Sequence, residues 1–395
     1  MSQIACNLCF DVPFLFSDLL FSSGQKPASV DLPTADVDLS PHLALKFPYY
    51  PQGLAQKMYI IKAKICVVFA GREHEIKEFL EELKQRCAYF EGEVPLERLM
   101  EFMDEYPFGE KFASSALLLI HATGTQWDDK IHFRLFNVPK NSYDVDSECF
   151  EFQPGEWNIF DSPTLGKVYA AASGVERYLN LVKQFPELQT TAKKGTLDYA
   201  IQANGVLAAQ LLTLEKVALY TINHLWGGGF EVGYFNGEGF EKLGNIAYII
   251  CHSQFDHAGD VGIPSPRVVM FYRYIGEMLH ITAIEITGLT IDVEPDVIKF
   301  TSRASQLVVR PFPVPTIYSD RDQPPPEVDL SFKTNLVAIG FSLITPTNEI
   351  FNPAFFKYGS HVFVEYNDKD KLVINIHPGY IEAVRAGAKE AFPRL

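Results

Sequence analysis

Ser2 directly follows Met1, and a residue this small permits removal of the methionine, leaving serine at the start of the chain. A free α-amine titrates at about 7.7 to 8.0, so at neutral pH an appreciable fraction is unprotonated and accepts the hydroxyl proton of its own residue. Nucleophile and base then reside in one residue, and the chemistry calls for no histidine, cofactor or metal. A nearby lysine lowers the pKa of such an amine and favours developing negative charge, while a carboxylate holds the lysine ammonium in place. Asp18 and Lys57 are the candidates for those two parts.

The spacing and local text sharpen this. Asp18 lies sixteen residues beyond Ser2, and Gly71 fourteen beyond Lys57. The lysine opens Gln56-Lys57-Met58-Tyr59-Ile60, and the glycine closes Val67-Val68-Phe69-Ala70-Gly71. On these residues the chain resembles the proteasome β-subunit and HslV family of N-terminal-nucleophile hydrolases over about residues 2–245. Ala171-Ala172-Ser173-Gly174 resembles that family's entry to its third helix. The resemblance implies a four-layer αββα sandwich, peptidase or amidohydrolase activity, assembly into a homo-oligomer, and a Gly71 N–H facing the tetrahedral oxyanion. Departures accompany it. Serine replaces the usual threonine, Val175 stands where the family has serine, and the supporting aspartate and serine fall near Asn223 and Trp226 or Gly227. Asn223-His224 is similar to the HslV branch, and the segment between Asp18 and Lys57 is about twenty residues longer than the family's.

The elements that must position these residues follow from periodicity. Residues 3–10 and 13–21 read as two strands in a tight hairpin, and residues 57–61 and 64–70 as a second pair. Residues 24–41, rich in Pro, Ser, Asp and Thr, read as a surface insertion. Helical spacing of Ile76, Phe79, Leu80 and Leu83 predicts a helix over 75–90, with its acidic run on a solvated face, and a second follows over 96–106 behind Pro95. Strands over 116–123, 130–138 and 168–172 precede helices over 174–185 and 197–224. The Gly227-Gly228-Gly229 turn leads into a strand over 230–235. Strands, two helices, strands, two helices, strands is an order that two sheets faced by two helical layers satisfy. Beyond 245 the chain becomes a strand-rich extension over 246–395, with strands at 246–250, 267–274 and 280–284, a Pro-rich linker at 311–326 and a helix at 381–392.

The 395 residues carry a net charge of -15 and are 47% hydrophobic, which provides a packed core and opposes attraction to nucleic acid or an anionic membrane. No apolar run approaches the ~20 residues of a spanning helix. Six scattered cysteines suit reduced core residues and a cytoplasmic location. Cys6 and Cys9, three apart in a strand, should face opposite ways and bind no metal together. His252, Asp256 and His257 read as a polar loop. The expected substrate is a peptide, a protein or a small amide. A catalytically inactive scaffold or sensor that binds a partner through the C-terminal region is the other reading, because a fold outlives its chemistry.

Overall fold

The computed structural model describes residues 3–10, 12–25, 27, 29–35, 50–111, 115–123, 132–138, 158–171, 175–183, 185, 190, 192–218, 221–222, 226–254, 262–319, 327–344, 350–351, 354–358, 362–367 and 371–391. They form a mixed, strand-rich α and β structure built on several sheets. In chain order its first half contains β1 (Ile4–Cys9), β2 (Val12–Asp18), β3 (Leu20–Ser23), β4 (Tyr50–Leu54), β5 (Met58–Lys62), β6 (Ile65–Ala70), α1 (Glu73–Ala88), α2 (Leu96–Glu105) and α3 (Phe108–Lys111). There follow β7 (Ala116–Thr123), β8 (His132–Val138), β9 (Asn158–Ser162), β10 (Gly166–Ala171), α4 (Val175–Lys183), α5 (Leu197–Ala218), β11 (Phe230–Phe235) and β12 (Phe240–Lys242).

Two antiparallel sheets organise this half, one in the order β12-β11-β2-β1-β10-β9 and the other β5-β6-β7-β8. Alternation along each strand decides what its two faces touch. Ile4, Cys6 and Leu15 of the six-stranded sheet pack on Met58, Cys66, Val68, Leu118 and Ile120 of the four-stranded one. Their neighbours Ala5, Phe14 and Phe16 turn the other way, onto Tyr178 and Val182 of α4 and Ala203 and Leu207 of α5. On the four-stranded sheet, Tyr59, Val67, Phe69 and Leu119 face Ile76, Phe79 and Leu80 of α1 and Leu99 and Phe102 of α2. Burying each such Leu or Phe contributes about 1.5 to 3 kcal/mol. The cysteines obey the same alternation, with Cys6 between the sheets and Cys9 on the helical side. Both are free thiols, and burial pushes Cys9 up to about 12, as suits inert core residues. The β1–β2 hairpin turns without glycine because Phe10 itself takes a positive φ of 52°.

The second half comprises β13 (Ile246–Gln254), β14 (Ser265–Ile275), β15 (Met278–Ile286), β16 (Thr290–Val293), β17 (Ile298–Ser302), β18 (Leu307–Val314), β19 (Phe332–Thr334), β20 (Leu336–Ile344), β21 (Ile350–Phe351), β22 (Ala354–Tyr358), β23 (Phe363–Tyr366), β24 (Leu372–Ile376) and α6 (Gly379–Ala391). A seven-stranded sheet runs β18-β15-β14-β13-β20-β21, with β22 also on β20; β13 and β20 are parallel. One face, through Tyr248, Ile250, Met270 and Tyr272, joins Leu207 and Leu212 of α5 in the same core as the six-stranded sheet. The other face, through Ile249, Phe271 and Ile339, packs on a five-stranded sheet, β16-β17-β24-β23-β19, and on Ile381 and Val384 of α6. α5 is therefore wedged between two sheets, which its predominantly apolar sequence, with apolar residues on more than one face, suits. Gly340 of β20 makes the approach possible, since a Cβ there would collide with the Thr213 side chain and the Ala209 carbonyl of α5. A boundary at residue 245 thus cuts a continuous core.

The proline-rich segment also differs from a linker. Pro311 and Pro313 lie in β18, an edge strand paired to β15, where a missing N–H costs little. The chain then straps back to the first half. Gln56 N–H donates to the Pro315 carbonyl at 2.9 Å, Ile317 N–H donates to Tyr59 Oη at 2.8 Å, and the Ile317 side chain enters the α1–α2 core. Residues 320–326, the rest of the expected linker, lie outside the described residues.

Candidate functional site

Asp18 ends β2 at the point where the first half of the chain converges. Its partner is Lys57, immediately before β5, with Lys57 Nζ 2.7 Å from Asp18 Oδ1 and 2.8 Å from the Leu20 carbonyl oxygen. Both side chains are buried. Burial moves each toward its neutral form, Asp18 upward and Lys57 downward, and their mutual attraction opposes that. Asp18 accepts further hydrogen bonds: Gln3 N–H at 2.8 Å on Oδ1 and Gly227 N–H at 3.0 Å on Oδ2. The lysine ammonium and the Gln3 amide therefore meet on one carboxylate oxygen.

Three successive glycines build the lid over this carboxylate. Gly227, Gly228 and Gly229 have φ of 107°, 72° and 124°, a run that residues with side chains rarely adopt. With no Cβ, the loop comes close enough for Gly227 O to accept from Leu19 and Leu20 N–H while its own N–H reaches Asp18. The next amide, Gly228, donates to Glu215 at 3.0 and 3.1 Å. Glu215, fully buried on α5, also accepts from Thr34 and Thr221, so one carboxylate ties together the helix, the glycine loop and residues 29–35 of the insertion. Burial raises Glu215 to about 7, against the pull of these donors.

A second buried carboxylate supports the lysine from the backbone. Glu231 Oε2 accepts from Lys57 N–H at 2.7 Å and from Met58 N–H at 3.2 Å, while Oε1 pairs with Lys242 Nζ at 2.8 Å and accepts from Tyr274 Oη at 3.3 Å. Tyr274 belongs to β14, so the second half of the chain takes part in fixing the lysine strand.

Of the four residues singled out from sequence, Asp18 and Lys57 are in direct contact, and Gly71 lies at the end of β6, the strand paired to β5. Gly71 has a φ of 133° and no room for a Cβ beside Ser115. Ser115 Oγ accepts from the Arg72 N–H at 2.8 Å and donates to Glu75 Oε2 at 2.6 Å, which fixes the backbone just past the glycine. Glu75 is consequently buried, unlike the solvated helix face expected for the acidic run. Ser2, Ser173, Gly174, Asn223, His224, Asp256 and His257 lie outside the described residues. Among the described residues no group of three or more His, Cys, Asp or Glu is arranged to hold a metal, and no helix is long and apolar enough to cross a membrane.

Sequence reading missed Glu231 and Glu215. Each had a signal, a lone acid between Phe230 and Val232 in an apolar strand, and another inside the apolar run Leu211-Leu212-Thr213-Leu214-Glu215. A buried acid in such a setting needs donors, and both find them. No family model matches this chain, and no match is found among curated proteins.

Proposed function

We propose that the chain is an N-terminal-nucleophile amidohydrolase, a proteasome-like peptidase by resemblance, on a four-layer αββα sandwich formed by α1 and α2, the two sheets of the first half, and α4 and α5. The observation that carries this reading is the convergence of Lys57 Nζ and Gln3 N–H on Asp18 Oδ1, because the residue before Gln3 is Ser2. In this reading Ser2 Oγ attacks an amide carbonyl and gives its proton to the α-amine of the same residue. Lys57 tunes that amine electrostatically, Asp18 orients Lys57, and the Gly71 N–H stabilises the oxyanion. Collapse of the tetrahedral adduct releases the amine product with that proton and leaves an ester on Ser2, which water then hydrolyses. The substrate is a peptide, a protein or a small amide, and a homo-oligomer is the expected assembly.

The same contacts are compatible with the other reading, an inactive scaffold or sensor that binds a partner. Lys57 Nζ binds Asp18 and the Leu20 carbonyl, contacts that serve a purely structural pair equally well. Hydrolysis of a panel of fluorogenic peptide amides separates the two. The enzyme reading expects turnover that Ser2→Ala abolishes while leaving the thermal transition unchanged; turnover that survives in Ser2→Ala removes Ser2 from the chemistry.

A further inference from the structure

On the far side of α5 from the six-stranded sheet, a cavity of about 330 Å³ opens where the helix ends and the seven-stranded sheet continues past it. That volume suits a small ligand. Its polar lining is assembled across the sheet by register. His252 of β13 stands opposite Ser342 of β20, and Glu285 of β15 opposite Val268 of β14. Between β13 and β14 the register slips at Ile250/Cys251, leaving Arg267 as the extra residue of a bulge, a device that re-aims a side chain. Lys216 comes from the last turn of α5, and Ile250 and Val268 supply apolar wall.

Two features point to an anion. Cations outnumber acids here by three to two: Arg310 pairs with both Glu285 and Asp31, Glu285 lies 3.8 Å from Lys216, and Arg267 adds charge that reaches His252. Ser342, 1% exposed, lines the cavity with an Oγ that has no hydrogen-bond partner among the described residues. A buried hydroxyl left without a partner is costly and is expected to find one.

We propose that this cavity is a binding site for a small organic anion, a carboxylate or phosphate ester whose head group is held by Arg267, Lys216 and Ser342 and whose short apolar tail lies on Ile250 and Val268. Charge-assisted hydrogen bonds from a guanidinium and an ammonium supply the attraction. The test is calorimetric titration of the full chain with butyrate and with butyl phosphate at low ionic strength. Saturable binding of at least one is expected, weakened about ten-fold or more by Arg267→Gln and by Ser342→Ala, and unchanged by Arg385→Gln on α6. The anion that binds identifies the head group. Arg267 is exposed at the rim, so its variant keeps the fold even if the Ser342 variant does not. Failure of both anions to bind at millimolar concentration, or binding that Arg267→Gln leaves intact, overturns the assignment.

Discussion

The Asp18–Lys57 pair illustrates how much depends on single buried charges. Removing one partner leaves the other buried without the charge that compensates it, which costs about 3 to 5 kcal/mol. Lys57→Met should therefore lower stability by that order in denaturant titration, and Asp18→Asn on that background should restore part of it; an additive second loss would show that the two do not act as a pair. Glu215 makes a different prediction. Its carboxyl is raised from 4.5 to about 7 by burial. A group raised on folding contributes stability that is fully present below its unfolded value and is lost as pH rises through the folded value. The chain should thus lose stability, on the order of a few kcal/mol, between pH about 4.5 and about 7. Glu215→Gln should flatten that slope in melts recorded across the window, and an unchanged slope would assign it to other groups.

At the scale of elements, the glycine loop before β11 is the piece that brings backbone donors to both carboxylates. A Cβ at Gly227 would strike the Glu215 carboxylate and the Thr221 side chain, and the φ of 107° is itself unfavourable for alanine. Gly227→Ala should withdraw the amide from Asp18 and cost about 1 to 3 kcal/mol, read as a lowered melting temperature. Gly239→Ala, at a position where the nearest atoms are 3.1 Å away and no positive φ is required, should cost less. Much of this arrangement was legible in the sequence. The helical spacing of Ile76, Phe79, Leu80 and Leu83 located α1, apolar β-prone runs located β1 and β2, and the resemblance in spacing and local text singled out Asp18 and Lys57. What was hidden has a physical reason. β18 carries prolines that read as a linker because its edge position, which excuses them, is set by long-range pairing with β15. Glu75 reads as solvated from its charged neighbours, and its burial depends on Ser115 forty residues away.

For the whole molecule, α5 is the decisive element, since its opposite sides serve one sheet from each half of the chain. The strap over residues 315–318 adds a second tie, from β18 to the lysine strand and the α1–α2 core. The chain should accordingly unfold in one transition by calorimetry, and a fragment ending at residue 245 should aggregate, because it exposes the side of α5 that Tyr248, Met270 and Tyr272 cover. A soluble fragment with a cooperative melt of its own would contradict the shared core.

Intact-protein mass spectrometry before and after treatment with a serine-reactive electrophile reads the chemical state of Ser2 itself. An N-terminal-nucleophile enzyme gives a chain lacking Met1 that gains one adduct, with no adduct in Ser2→Ala. Retained Met1, or an adduct that persists in Ser2→Ala, would contradict that reading and leave the buried Asp18–Lys57 pair as a structural feature of a binding protein.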